Sequence, residues 1–231
     1  MTTGTRARRR DDVTRQVIEI GRGHLAEYGA AGLSLRAVTR DLGMVSSAVY
    51  RYVDGRDELL TLLVVDAYTE LADEVDDRLA RMSRAAWDTR VLAACNAVRD
   101  WASREPTRYA LLYGSPVPGY EAPAERTTEP GTRVILALLR LVGEGVDVGD
   151  VTDGPAFASV PRPLRADLAR VVARVGVDID PAVMGRAVLL WATLFGAVSL
   201  EVFGQYGEDT FLERGLMFEH QIRLALAVVK G

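Results

Sequence analysis

The sequence predicts an all-α fold in which a small N-terminal helix-turn-helix domain precedes a larger helical domain. Two observations lead to this prediction. Apolar residues recur at helical spacing in one segment after another along the 231 residues. Near the N-terminus, Gly43 separates two short segments of this kind, a pattern typical of a helix-turn-helix. We therefore expect residues 1–10 to form a basic flexible arm, residues 11–55 the helix-turn-helix domain, and residues 56–231 the second domain.

The first two helices of the N-terminal domain have recognisable ends. The first is predicted to span residues 11–28 and to stop at Gly29, because glycine accepts the backbone conformation in which helices often end. The second begins after Ser34, whose hydroxyl group can cap the free N–H groups of the first turn. It ends at Gly43 for the same reason as the first.

The third helix is predicted to span residues 46–53. Three valines at helical spacing are expected to hold it against the domain, namely Val45, Val49 and Val53. The side chains between them then point outwards. This outer face is small, hydroxyl-bearing and cationic, which suits a recognition helix that enters the major groove of DNA.

The rest of the chain is also predicted to be helical. A long helix at residues 56–82 connects the two domains, and further helices are predicted at 86–103, 107–113, 130–142, 163–175, 181–206 and 210–229. Proline and glycine make residues 114–123 irregular, and glycine and aspartate do the same for residues 143–161.

The last two predicted helices indicate a homodimer. Residues 181–206 are apolar on nearly every side, and a helix without a polar face is expected to be buried all round. A four-helix bundle formed with a second copy would bury both helices, although they could instead be core helices of a monomer. The predicted interface residues are Leu194, Val198, Val202, Phe203, Phe218 and Ile222.

Charge and motifs exclude several classes of function. Residues 1–56 carry a net charge of +4 within a chain whose net charge is −4, so the N-terminal quarter is expected to meet a polyanion. His24, His220 and Cys95 are too few and too far apart in sequence for a metal site or a nucleophile–base pair. We therefore predict no enzymatic activity, no metal and no cofactor. Apolar runs are shorter than a membrane span, so a cytoplasmic location is expected.

The predicted contacts with DNA lie in the basic quarter. Ser47, Ala48 and Arg51 are candidates for reading base edges, and Arg36 for reading a guanine or binding a phosphate. The remaining candidates would bind the sugar–phosphate backbone or a groove, namely Ser34, Ser46, Tyr50, Tyr52, Arg56, Arg8, Arg9 and Arg10.

The motif resembles the DNA-binding domain of the tetracycline-repressor (TetR) family. The resemblance rests on Gly32-Leu-Ser-Leu-Arg-Ala-Val38, on Leu42-Gly-Met-Val-Ser-Ser-Ala-Val-Tyr-Arg-Tyr-Val53, and on Arg56-Asp-Glu-Leu-Leu60. Trp191-Ala-Thr-Leu-Phe-Gly196 is similar to the Trp-x-x-Leu-His-Gly signature of one subgroup, with Phe195 in place of the histidine. The resemblance implies an all-helical homodimer with a ligand cavity in each C-terminal domain.

These observations predict a DNA-binding transcriptional regulator, specifically a repressor that an unknown small molecule releases from a pseudo-palindromic operator. An activator with the same DNA contacts is one alternative, and a helical ligand-binding protein without DNA binding is another. The expected effector pocket is aromatic, although each of its residues, taken alone, fits a place in the core better. Its predicted lining is Trp101, Tyr109, Tyr113, Trp191 and Phe195.

Overall fold

The computed structural model describes residues 3–152 and 160–231, and it describes residues 3–7, 46 and 47 by their backbone. Within these ranges the regular secondary structure is helical, which confirms the predicted all-α class. The helices, in chain order, are α1 (Thr3–Gly32), α2 (Leu35–Asp41), α3 (Ser46–Val49), α4 (Arg56–Arg81), α5 (Trp87–Arg104), α6 (Pro106–Tyr113), α7 (Ala124–Asp147), α8 (Arg162–Val175), α9 (Pro181–Val202) and α10 (Arg214–Lys230).

The chain forms two compact units, each built from two separate stretches of sequence. The first unit contains Met1–Glu70 and Glu105–Gly131, and the second contains Leu71–Arg104 and Thr132–Gly231. This division differs from the predicted boundary between residues 55 and 56. The first half of α4 and the whole of α6 belong to the same unit as the helix-turn-helix.

The apolar core of the first unit explains this larger extent. Leu59, Leu60 and Leu63 of α4 are buried in one cluster with Val38 and Val49 of the helix-turn-helix. Two short helices bury too little apolar surface to fold alone, so they depend on the longer helix beside them. Side chains from the second stretch of sequence also pack against this cluster, namely Leu111, Val117 and Tyr120.

Helix α1 begins earlier than the sequence predicted. It starts at Thr3, so the segment expected to be a flexible arm is helical from that residue. The arginines of this segment are good helix formers, and adding residues to an existing helix costs far less than starting one. Gly29 has a φ of 66° and interrupts the regular helix at the position where its end was predicted.

The turn between α2 and α3 agrees with the sequence. The Ser34 hydroxyl group accepts a hydrogen bond from the backbone N–H of Ala37 at 3.4 Å, which confirms the predicted cap of α2. Gly43 follows α2 with a φ of 69°, in the left-handed region that a helix-ending glycine provides.

Helix α3 is shorter than predicted. It ends at Val49, and a turn occupies residues 50–52. Val49 and Val53 are fully buried as expected, but the prediction for Val45 is wrong, because its side chain is 73% exposed. Val45 lies before the first turn of the helix, where the helical spacing no longer fixes its direction.

The second unit has a core of large side chains from α5, α7, α9 and α10. Trp101 is fully buried there, and the indole N–H of Trp87 donates to the backbone carbonyl of Leu141 at 2.6 Å. The guanidinium group of Arg99 on α5 binds both carboxylate oxygens of Glu201 on α9, at 2.6 and 2.7 Å. These contacts fix α7 and α9 against α5.

Helix α7 is about twice as long as the sequence indicated. It spans Ala124–Asp147, whereas we expected residues 130–142 with Pro130 at the first turn. Pro130 lies inside the helix instead. An internal proline removes one backbone hydrogen bond and crowds the carbonyl group four residues earlier. Pro130 is buried, so its packing contacts offset part of this cost.

Helix α9 is not buried on all sides, contrary to the prediction. In the isolated chain it leaves several large apolar side chains exposed, and α10 does the same. The exposed residues are Val188, Leu189, Trp191 and Leu200 on α9, Phe203 directly after its end, and Leu216 and Leu224 on α10. We call these seven residues the α9–α10 apolar surface.

The composition of α9 also meets the criteria for a membrane-spanning helix. Pro181–Val202 is long and apolar enough to cross a membrane, and 44% of its most apolar stretch is buried within the chain. A helix at the interface between two subunits has the same composition, because both of its faces are covered by protein.

Candidate nucleic-acid interface

The outer side of the helix-turn-helix carries exposed cations and hydroxyl groups. Arg36 of α2 and Arg51 of the turn after α3 are exposed, and the ring of Tyr50 is 42% exposed. The opposite sides of these helices are held down by Val38 and Val49, which are fully buried. The buried residues therefore fix the direction in which the exposed ones point.

The small residues of α3 are only partly described. Ala48 is half-buried. The side chains of Ser46 and Ser47, both predicted DNA contacts, lie outside the described part of the chain. Ser34 is exposed and caps α2, and its hydroxyl hydrogen remains available to donate to a phosphate oxygen.

Arg56 has a partner within the protein instead of a free guanidinium group. It donates to the backbone carbonyls of Ala30 at 2.9 Å and Leu33 at 3.3 Å, where α1 ends. A cation at this position neutralises the partial negative charge of the last carbonyl groups of a helix. The structure thus gives Arg56 a positioning role between α1 and α4, different from the predicted phosphate contact.

Tyr52 and Arg10 lie on one open groove of the first unit. Tyr52 is half-buried and packs against the core cluster, whereas Arg8, Arg9 and Arg10 are exposed at the start of α1. The groove has a volume of about 690 Å³ and contains side chains of both charges. Arg126 of α7 and Glu58 of α4 form an ion pair at 2.5 Å on its wall. Two of the predicted DNA contacts, Tyr52 and Arg10, therefore line the same groove.

A network of ion pairs, which the sequence did not reveal, connects three helices of the first unit. Asp66 and Glu70 of α4 accept hydrogen bonds from Arg22 of α1 and from Arg108 of α6, over distances of 2.8 to 3.0 Å. The Arg108 side chain is only 4% exposed. The hydrogen bond that Arg22 donates to Asp66 is the main cause that raises the pKa of Arg22. Two carboxylates four residues apart on α4 were the available signal, because they share one helix face.

A second polar contact connects α1 with α2. The Nε2 atom of His24 lies 2.6 Å from a carboxylate oxygen of Asp41, and the imidazole ring packs edge-on against Tyr28. The hydrogen bond with His24 lowers the pKa of Asp41 below its usual value. This contact spans the first two helices of the domain and stabilises their arrangement.

The contact between His24 and Asp41 leads to a pH prediction. Because the folded state lowers the pKa of Asp41, its stabilising contribution is present above the ordinary aspartate pKa of about 4 and is lost as the pH falls further. We expect the melting temperature of Asp41→Asn to fall less than that of wild type between about pH 6 and pH 3. Asp209→Asn, at an exposed site of the second unit, should behave like wild type. Equal losses in Asp41→Asn and wild type would contradict the assignment.

The aromatic residues predicted to form an effector pocket belong to different units. Tyr109 and Tyr113 of the first unit contact each other, with ring centroids 5.0 Å apart. Trp101 lies in the core of the second unit, whereas Trp191 and Phe195 pack against each other on α9, with centroids 5.8 Å apart. Tyr109 with Tyr113, and Trp191 with Phe195, are therefore two contacting aromatic pairs in different units.

The structure also places the predicted dimer residues. Leu194, Val198, Phe218 and Ile222 are buried within the chain itself, so they join α9 to α10 and the neighbouring core. Side chains buried in this way offer no exposed surface to a second subunit, so their burial does not support the predicted place at an interface. Val202 is half-buried, and of the six predicted residues Phe203 alone belongs to the α9–α10 apolar surface.

Comparison with known proteins places these observations in context. Residues 91–225 match a family model described as the C-terminal domain of tetracycline repressor-like proteins. The HTH-type transcriptional regulator Rv1816 of Mycobacterium tuberculosis is 48% identical over 228 residues, which cover 98% of this chain and 96% of that protein. The regulator Mb1846 of Mycobacterium bovis is similar to the same degree.

Solved structures show the same similarity. The crystal structure of SCO4313, a candidate regulatory protein, superposes on this chain with a TM-score of 0.76 at 32% sequence identity. The matched region covers 96% of this chain and 98% of the SCO4313 chain. A regulatory protein of the TetR family from Rhodococcus RHA1 has a TM-score of 0.61 at 12% identity and covers 94% and 96%.

Proposed function

The chain belongs to the TetR family of DNA-binding transcriptional regulators, and on that basis we propose that it is a repressor released from its operator by a small molecule. Members of this family bind DNA and are not enzymes, and the same holds for this chain. A regulator of this kind acts on DNA, so we place it in the cytoplasm.

The observation that carries the proposal is the two-sided construction of the helix-turn-helix. Buried valines fix one side, and the other side presents Arg36, Tyr50 and Arg51 to solvent. Arginine binds a guanine edge or a phosphate through a planar pair of N–H groups, and a tyrosine hydroxyl binds phosphate. We assign base reading to Arg51 and Ala48, and backbone contacts to Ser34, Tyr50 and the arginines at the start of α1.

The proposed dimer forms through the α9–α10 apolar surface. Between its large side chains on α9 lie Ala192, Gly196 and Ser199, at helical spacing along the middle of the exposed face. Apart from the neighbouring turn of α9, no atom of the described residues lies within 4 Å of the position that a Cβ at Gly196 would occupy, so a second helix has room to approach there. Small residues allow two helices to pack closely. A two-fold dimer with two helix-turn-helix motifs fits a pseudo-palindromic operator.

Repression requires that the effector distinguish between two states of the dimer. A molecule that bound the operator-competent and the released state equally well would shift neither. An activator would use the same DNA contacts, and the position of its operator relative to the promoter distinguishes it from a repressor. A ligand-binding protein without DNA binding would show no preference among duplexes.

The direct test is selection of duplexes from a random DNA library by the purified chain. We expect a pseudo-palindromic consensus with half-sites about one helical turn apart. Binding of the selected duplex, measured by fluorescence anisotropy, should weaken steeply as salt rises, because phosphate contacts release counterions. Failure to enrich any sequence would refute specific DNA recognition.

The selected duplex also tests the role of Arg51. Arg51→Ala should weaken specific binding by about 1–3 kcal/mol and relax the preference at one base position of each half-site. Arg84→Ala is a matched control, because Arg84 is exposed in the second unit. If specific and non-specific affinity fall equally, Arg51 binds a phosphate and does not read a base.

A further inference from the structure

A cavity of about 300 Å³ lies within the first unit, beside the helix-turn-helix core. Its walls come from α4, α6, the irregular segment after α6 and the first turn of α7. The lining residues are Val64, Tyr68, Leu111, Leu112, Gly114, Ser115, Pro116, Val117, Tyr120, Ala122 and Thr127. None of the five aromatic residues predicted to bind an effector is among these described lining residues.

The lining determines the charge of any occupant. Its side chains are apolar or carry hydroxyl groups, and no Asp, Glu, Lys, Arg or His occurs among them. An ion placed there would lose its hydration without gaining a counter-charge, which is costly. The open groove on α1 differs in this respect, because arginines and carboxylates line it. The cavity therefore selects an uncharged molecule.

The hydroxyl group of Tyr68 provides a hydrogen-bond donor for such a molecule. Tyr68 lines the cavity, and no described residue forms a hydrogen bond with its hydroxyl group, although its ring packs edge-on against Tyr113. Burial raises the pKa of Tyr68, so the group stays protonated and can donate. A partly buried donor without a partner is stabilised by an acceptor oxygen on the ligand.

The second tyrosine of the cavity is already engaged with the helix-turn-helix side. The hydroxyl group of Thr61 donates to the backbone carbonyl of Asp57 at 2.9 Å, so it accepts from the Tyr120 hydroxyl group at 3.0 Å. Tyr120 and Val117 also pack against the core cluster that contains Val38 and Val49. The wall of the cavity and the support of the helix-turn-helix are thus the same residues.

Resting on the proposed function, we infer that this cavity binds the effector, which is a small, uncharged, largely apolar molecule with a carbonyl or hydroxyl oxygen. The oxygen accepts from Tyr68, and the apolar part contacts Val117 and Tyr120. Occupancy changes the packing of these two residues on the core cluster and so alters the helix-turn-helix from within its own unit.

The binding test uses a matched pair of probes, benzylacetone and hydrocinnamate. They have the same shape, but a methyl ketone in the first is replaced by a carboxylate in the second. Isothermal titration calorimetry without DNA should show binding of benzylacetone, with hydrocinnamate at least on the order of tenfold weaker because its charge must be desolvated. Equal binding of both compounds, or of neither, overturns the inference.

Two variants locate the site. Tyr68→Phe keeps the ring and removes the donor, so it should weaken the binding of benzylacetone about fivefold. The melting temperature should stay unchanged, because no described residue forms a hydrogen bond with the hydroxyl group and the ring contact with Tyr113 is kept. Tyr28→Phe, at a 54% exposed tyrosine of α1, is the control and should bind like wild type. Unchanged affinity in Tyr68→Phe places the ligand elsewhere and overturns the inference.

The coupling to DNA is measured separately, with the selected duplex. Benzylacetone at saturation should change the affinity of wild type for that duplex, and the change should be smaller in Tyr120→Phe, which lacks the hydrogen bond to Thr61. Binding of the probe without any effect on DNA affinity overturns the coupling through Val117 and Tyr120. Failure of duplex selection would refute the proposed function instead, since the calorimetry contains no DNA.

Discussion

Replacing Leu224 with Glu is expected to separate the dimer into monomers and to weaken operator binding by at least on the order of 100-fold. Leu224 is 56% exposed on α10 in the isolated chain and belongs to the α9–α10 apolar surface. A charge there would be buried without a partner on dimerisation. Each monomer would then bind one half-site, and the gain from linking two sites would be lost. Sedimentation velocity and anisotropy with the selected duplex measure the two effects.

Two control variants separate this effect from a loss of folding. Val148→Glu places the same charge on a side chain that is 68% exposed after α7, outside the α9–α10 apolar surface, and should remain dimeric. Ile222→Ala removes a fully buried side chain from the contact of α10 within the chain, so it should lower stability by about 2–5 kcal/mol while the folded protein stays dimeric. A dimer of unchanged mass for Leu224→Glu would refute the proposed interface.

Arg108→Met should destabilise the first unit by about 2–3 kcal/mol and reduce DNA binding at temperatures where the unit begins to open. Arg108 is almost fully buried and binds both Asp66 and Glu70, which also bind Arg22. Methionine fills a similar volume but leaves two carboxylates facing each other with one cation fewer. Hydrogen exchange, measured as the temperature rises, should show weaker protection of the backbone amides of α1, α4 and α6 in the variant.

A matched arginine provides the comparison. Arg104 binds Glu74 at 2.8 Å, but its side chain is 54% exposed. Exposed ion pairs contribute little, so Arg104→Met should change stability by less than about 1 kcal/mol. An equal loss of stability in the two variants would show that the buried ion pairs of Arg108 contribute no more than the exposed ion pair of Arg104.

The sequence alone predicted the elements for which the apolar spacing and the capping residues indicate the same helix. Helix α4 was placed within one residue of its observed end, because its apolar spacing continues without interruption from the turn that precedes it. The caps at Ser34 and Gly43 were also found, since each depends on a single residue and its neighbours. Helix α7 is longer than predicted. A proline is typical of a first helical turn, so the sequence indicates a start at Pro130, whereas Pro130 lies inside the helix.

The sequence did not show which face of α9 packs against the core of its own chain and which face stays exposed. When apolar residues surround a helix, their spacing contains no information about which side meets the core and which meets a partner. Leu194 and Val198 were therefore assigned to the interface, although they are buried in the chain, and Leu189 was not. The roles of Arg56 and Arg108 were missed for a related reason. Their partners are far away in sequence, so only the folded chain shows them.

The discontinuity of the first unit limits how this regulator can be divided. A fragment that ended at residue 70 would contain the whole helix-turn-helix, yet it would lack Arg108, Val117 and Tyr120. Asp66 and Glu70 would lose one of their two arginines, and the core cluster would be open to water on one side. A hybrid sensor that joined these motifs to another ligand-binding domain would therefore have to carry residues 105–131 with them.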